Sequence, residues 1–235
     1  MANSSVVDFP KNFTKALNDP QLRHNLRSAM DTLGMRRRTL FSDPVSFEQL
    51  RATGDEIRQR ALRQLPELLE KLEKKCTENG IEVHWAETPA EANQICLEII
   101  QRHNAHRVIK GKSMVSEEMH LNHFLAEHDV EALETDLGEY IIQLDHETPS
   151  HIIVPAIHKN RDQIARLFHD KIPNTPYTEV VEELNAIARK VLRQKFLAGE
   201  VGVSGVNFAV AETGTLCLVE NEGNGRMCTT APPVH

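Results

Sequence analysis

The sequence predicts an α/β fold: a mostly parallel sheet flanked by helices, with an N-terminal helical arm. Three observations carry this. Short apolar runs alternate with longer stretches of helical period from about residue 81 onward. Strands that alternate with helices need crossover connections, which make the sheet parallel. Finally, glycine and polar residues crowd 111–118, 134–139 and 202–224, between the strands, where open sheets place their binding crevices.

Taken in order, residues 1–50 are polar, are interrupted at Asp19-Pro20 and Asp43-Pro44, and have helical period only around 21–33 and 46–51. They read as an arm or cap, and the division expected is a helical arm at 1–54 followed by an α/β domain at 55–235. From Asp55 to Cys76, Ile57, Leu62, Leu65, Leu68, Leu69 and Leu72 mark a long amphipathic helix, bent at Pro66 and stopped by Asn79-Gly80. A strand is expected at 81–85. Thr88-Pro89-Ala90-Glu91 then supplies a capping hydroxyl, a proline at the first helical position and a glutamate at the third. Ala92, Ile95, Cys96, Ile99 and Ile100 form the buried stripe of that helix.

The next strand is expected at 107–110, a helix capped by Ser116 at 116–127, and a strand at 130–133. A further strand at 151–154, a helix at 161–169 and a long helix at 178–196, with Val180, Leu184, Ile187 and Val191 inward, follow. Strands at 207–211 and 215–219 close the chain as a hairpin turning at Thr213-Gly214.

Composition narrows the function. The 235 residues carry 27 Lys and Arg against 34 Asp and Glu, a net charge of −7, so a general basic surface for nucleic acid is missing. Arg36-Arg37-Arg38 is a local exception that reads either as a solvated helix end or as a steering patch for an acidic partner. No apolar run reaches the ~18 residues of a membrane span, and the start MANSSVVDFPKNF lacks the apolar core of a secretory signal. Cys76, Cys96, Cys217 and Cys228 are far apart, with no C-x-x-C pair, so spacing encodes neither a zinc site nor an iron-sulfur site. A reducing, cytoplasmic setting fits them. His103 with His106 and His120 with His123 have helical spacing but lack an H-E-x-x-H context or a third ligand, so no metal site is expected.

The glycine-rich stretches hold the candidate binding residues. Gly111-Lys112-Ser113 follows a strand and precedes a helix, offering an anion a lysine, a hydroxyl and free amides together. It is not a Walker loop, since G-x-x-x-x-G-K-[ST] is absent, and a structural turn explains it equally well. Thr135-Asp136-Leu137-Gly138-Glu139 follows a strand and precedes a short helical run, Thr135 and Asp136 as ligand contacts, with Asp136 and Glu139 serving as acids or bases or else as helix caps. Asn207, Glu212, Thr213 and Gly214 lie where small residues let a ligand approach the backbone. Asn224 and Arg226 sit in a polar turn, Arg226 being able to clamp a carboxylate or phosphate by paired bonds. Lys112, Ser113, Asp136, Asn207, Glu212 and Thr213 are expected to share one crevice.

The segments GKSMVSEE, ETDLGEYIIQL, PSHIIVPAIH and VGVSGVNFAVAETGTLCLVENEGN, in this order, resemble the LUD domain of the lactate utilisation protein B family, over most of residues 50–235. The resemblance implies a NagB/RpiA/CoA-transferase-like fold and a part in an iron-sulfur protein of bacterial L-lactate oxidation to pyruvate. It implies two 4Fe-4S clusters held by a ferredoxin-like part that this chain lacks, none in the chain itself, and lactate utilisation proteins A and C as partners. The domain's own task would be to bind a partner or a small anionic ligand. The alternative is an acyl or CoA transferase, or a folate-type ligase, working through Lys112 and Glu212. Glu212 resembles the nucleophilic glutamate of CoA transferases only in standing near a glycine.

Overall fold

At the centre of the fold three parallel strands, β1 (Arg107–Lys110), β2 (Glu131–Glu134) and β3 (Val201–Val203), are hydrogen-bonded in the order β2-β1-β3. A computed structural model of the protein describes residues 9–235; residues 1–8, at the start of the predicted arm, lie outside the described residues. Register pairs Val108 with Ala132 and Val201, and Lys110 with Glu134 and Val203. Glu200 fixes the entry to β3. It accepts from the Arg107 guanidinium at 2.6 Å and from the amides of His106 and Arg107, and those bonds hold its carboxyl down at about 2.

Alternation along β1 sends successive side chains to opposite faces. On one face Val108 packs with Leu97 and Ile100 of α5 (Pro89–Arg102) and with Leu121 and Leu125 of α7 (Leu121–Ala126). A second core joins Tyr140 and Ile141 of α8 (Leu137–Leu144), Phe168 of α9 (Arg161–Lys171) and Leu184, Ala188 and Leu192 of α10 (Val181–Ala198). Burying each large apolar side chain contributes about 1.5–3 kcal/mol, so these two layers dominate the stability of the α/β body.

The N-terminal region is helical throughout its described length: α1 (Phe9–Leu17), α2 (Pro20–Leu40), α3 (Pro44–Arg63) and α4 (Leu65–Glu78). The Asp-Pro pairs start helices, because Asp19 and Asp43 accept the amides of Leu22 and Val45 while proline takes the first turn. The amphipathic helix expected from Asp55 divides at Gln64, and α3 runs unbroken across position 54. None of the described residues of α1, α2 or α3 is buried. Gln21 and Asn25 tie α2 to Gln163 and to the His158 carbonyl.

Several sequence expectations are corrected. Residues 81–85 form no strand: the segment spends its polar groups on Glu82–Arg102 and Trp85–Glu73 contacts, which hold it against α5 and α4 and outside the sheet. Residues 151–154 form no strand either, since the His151 ring accepts the amides of Ile153 and Val154 and curls the backbone. The helix expected at 116–127 is two short ones, α6 (Met114–Glu118) and α7, broken at His120 with φ 55°. Its cap is Ser113 rather than Ser116. Val180 is half exposed and precedes α10 instead of facing inward. The chain adds β3, which was not expected, and α11 (Asn224–Thr230), where a flexible turn was expected; Gly223 takes φ 86° and starts that helix.

The final hairpin, β4 (Phe208–Val210) with β5 (Thr215–Cys217), is antiparallel and separate from the central sheet. It rests on α4. Asn79 donates to the Thr213 carbonyl, the Cys76 thiol to the Gly214 carbonyl, and Lys71 pairs with Glu212 at 3.1 Å. Gly214, at φ 69°, is required there, because a Cβ would stand 2.7 Å from the Lys75 carbonyl carbon.

Candidate functional site

The three parallel strands end together, and the loops leaving them build the site. The register that sets Lys110 beside Glu134 brings their side chains to 2.6 Å, both almost wholly buried. Asn122 of α7 donates to the same Glu134 oxygen at 2.6 Å, and Glu117 of α6 lies 3.7 Å from the Lys110 ammonium. Thr135 continues the ladder by donating through its amide and its hydroxyl to the Lys110 carbonyl. It also contacts the buried Cys228 thiol, which burial pushes up to about 11.

Two residues beyond Lys110 and Glu134, past the strand ends, the first side chains reach solvent. The Lys112 ammonium, partly exposed, stands 3.6 Å from Asp136 and 3.7 Å from Glu139. Asp136 is also the cap of α8, accepting the amides of Gly138 and Glu139. Burial, reinforced by the negative charge of Glu134, raises the Glu139 carboxyl to about 8 against the pull of Lys112. Glu139 therefore carries a proton at neutral pH. Glu117 and Glu222 are raised too, each chiefly by burial, Glu222 also by Asp136. The Oε2 atoms of Glu134 and Glu139 and the Oδ1 atom of Asn122 are buried without a hydrogen-bond partner among the described residues. The arrangement can exchange a proton at Glu139 and orient a ligand at Lys112.

The sequence-predicted residues fall into three places. Lys112 and Asp136 meet, and Ser113 adjoins them with its hydroxyl engaged as the α6 cap. Asn207, Glu212, Thr213 and Gly214 belong to the hairpin. There Asn207 accepts the Val219 amide, and Glu212, exposed and held below the usual carboxylate range by its bond from Lys71, faces α4. Among the described residues the hairpin shares no hydrogen bond or ion pair with Lys112. Thr135, Asn224 and Arg226 line a cavity of about 960 Å³ between α10 and α11.

Sequence reading passed over Lys110, Arg189 and Arg193 and gave Glu134 and Glu222 no role of their own, whereas Glu139 stood with Asp136 as a cap, acid or base. A lysine and a glutamate closing two strands with apolar centres were a legible signal for Lys110 and Glu134. Arg189 and Arg193, on the exposed side of α10, give no such signal. The four cysteines do not fit an iron-sulfur cluster, since they sit on α4, α5, β5 and α11. Among the described residues no group of three or more His, Cys, Asp or Glu is placed to hold a metal ion.

The family model described as the LUD domain matches residues 69–235. Among curated relatives, the uncharacterized electron transport protein YkgF of Escherichia coli (strain K12) is 42% identical over 99% of this chain and 49% of its own length. Lactate utilization protein B of Bacillus subtilis (strain 168) is 40% identical over 95% of this chain and 47% of its own, and that of Bacillus licheniformis is 41% identical with the same coverage. The chain thus spans about half the length of these relatives. No solved structure matches it.

Proposed function

The chain belongs to the LUD domain family, and from that premise we propose that it is the LUD part of a cytoplasmic electron-transfer protein serving L-lactate utilisation. The observation that carries this is the likeness to lactate utilization protein B along nearly the whole chain. The two 4Fe-4S clusters of the intact protein belong to the ferredoxin-like part, and lactate utilisation proteins A and C are its partners. The LUD part itself supplies binding, for a small anion at the loops that leave the parallel strands or for a partner there. A protonated Glu139 beside Lys112 favours a ligand that brings its own negative charge, because a neutral carboxyl does not repel it.

A chimera tests this reading: the matching half of the Bacillus subtilis relative is replaced by this chain, in a strain lacking that relative. Growth on L-lactate is expected. A chimera that accumulates, folds and fails to support growth refutes the assignment. The transferase reading keeps one supporting observation, a glutamate held ionised and exposed beside a glycine turn. An acyl adduct on Glu212, trapped with hydroxylamine after exposure to an acyl-CoA, would establish it in place of the binding role.

A further inference from the structure

The cavity between α10 and α11 has walls of two kinds. Leu137, Leu192, Phe196 and Met227 give it an apolar floor, while Arg189 and Arg193, one turn apart on α10, and Arg226 on α11 stand around that floor. Arg226 shares its charge with Glu220 at 3.6 Å. Among the described residues the Arg189 and Arg193 side chains have neither an acidic partner nor a hydrogen bond. Two adjacent cations held beside apolar surface without a counter-charge are suited to a carboxylate, phosphate or sulfonate, which the guanidinium fork binds through paired hydrogen bonds.

Size decides which anions fit. Cavities of about 300–1,000 Å³ enclose drug-sized molecules, and at about 960 Å³ this one is far too roomy to enclose lactate or inorganic phosphate closely. Among the described residues the one carboxylate lining it is Glu222, which accepts from the Leu137 backbone and lies near enough to Asp136 and Lys112 to feel their charges. The α10 wall therefore carries Arg189 and Arg193 without an acidic residue beside them, while the α11 side carries Arg226 together with Glu222.

We propose that this cavity binds an organic anion with a flat or extended apolar body, its body on Leu192, Phe196 and Met227 and its anionic group on Arg189 and Arg193. The inference goes beyond the small-anion reading of the Lys112 loops, since it assigns a second, larger site, and it stands apart from the lactate assignment.

Two probes that share one ring system test it: 1-anilinonaphthalene-8-sulfonate and N-phenyl-1-naphthylamine, which lacks the sulfonate. Fluorescence titration of the full chain should give one saturable site for the sulfonate. Arg189→Gln with Arg193→Gln should weaken that site about ten-fold or more and leave the neutral probe unchanged, with near-UV circular dichroism as the folding control. Both side chains are exposed, and Arg226→Gln provides a second variant, expected to weaken the sulfonate less. Sulfonate binding that survives the double substitution, falls in parallel with the neutral probe, or never saturates overturns the proposal. A chimera that supports growth without arginine-dependent binding sinks this inference alone. Arginine-dependent binding in a chimera that supports no growth sinks the lactate assignment alone.

Discussion

Replacing Lys110 by methionine removes the positive charge at the centre of the strand ends and keeps the length of the side chain. In the native protein that ammonium is 2.6 Å from Glu134 and 3.7 Å from Glu117, and the Lys110 and Glu134 side chains are 1% and 5% exposed. The variant leaves Glu134 buried with Asn122 as its one remaining side-chain donor. Breaking a buried pair from one side costs about 3–5 kcal/mol, which for a chain of this size lowers Tm by roughly 6–20 °C. Urea unfolding followed by near-UV circular dichroism measures it. Adding Glu134→Gln removes the stranded charge while keeping an acceptor for Asn122, so the double variant should recover to within about 2 kcal/mol of the native protein. Arg51→Ala, which breaks an exposed pair with Glu48, should change stability by no more than ~0.5 kcal/mol. A single Lys110 variant that loses less than ~1 kcal/mol, or a double variant as unstable as the single, would refute the view that charge pairing organises this end of the sheet.

Three further outcomes follow from the structure. Glu139 keeps its proton to about pH 8 when folded, against an ordinary value of 4.5. The unfolded chain releases that proton across this window while the folded one retains it, so stability present at low pH drains away as pH rises through it. The loss should be on the order of a few kcal/mol between about pH 5 and pH 8.5, and Glu139→Gln, neutral throughout, should flatten the slope; equal slopes in the two proteins would exclude Glu139 as its source. Gly202→Ala would place a Cβ 1.8 Å from the Cys228 carbonyl oxygen, forcing α11 off β3 at a cost of about 3 kcal/mol or more. Gly54→Ala on α3, with nothing within 4 Å, should instead strengthen its helix by about 1 kcal/mol; a Gly202 variant as stable as the native protein would show that α11 has room to move.

The parts legible in the sequence are those where one local rule suffices. Thr88-Pro89 and the apolar stripe after it place α5, apolar runs bounded by polar residues place β1 and β2, and Thr213-Gly214 marks the hairpin turn. Tertiary packing decided the rest. Ile81 to Trp85 has the composition of a strand but is tied to α4 and α5 by Trp85–Glu73 and Glu82–Arg102 contacts instead of joining the sheet. β3 is only three residues long and contains Gly202, whose missing side chain makes room for Cys228 and conceals the strand from any propensity argument. Asn221 to Arg226 reads as a flexible loop until the left-handed Gly223 turns it into a helix start. Within the site, Lys112 and Asp136 could be foreseen because both follow strand ends. The hairpin residues were drawn into the same crevice by their glycines, whereas their neighbours in space are Lys71, Lys75 and Asn79. The cavity arginines became visible only when α10 and α11 were laid side by side.

The absence of buried residues along α1, α2 and α3 divides the molecule into parts of unequal cooperativity. α1 and nearly all of α3 are exposed, and α2 turns only a part-buried stripe, Leu22, Asn25, Leu26 and Ala29 among it, toward the body, where Gln21 and Asn25 also hydrogen-bond; helices that bury so little of their surface are marginal in water. Their amides should exchange with solvent by local opening at small free energies, while those of β1, walled in by β2 and β3, wait for global unfolding. A melting curve read from total helix content therefore sums two transitions, and its midpoint belongs to neither. Signals from Tyr140 and Phe168, whose rings meet inside the second core at 6.4 Å, follow the α/β body alone, and deuterium uptake resolved by segment would show the protein loosening from its N-terminal helices inward.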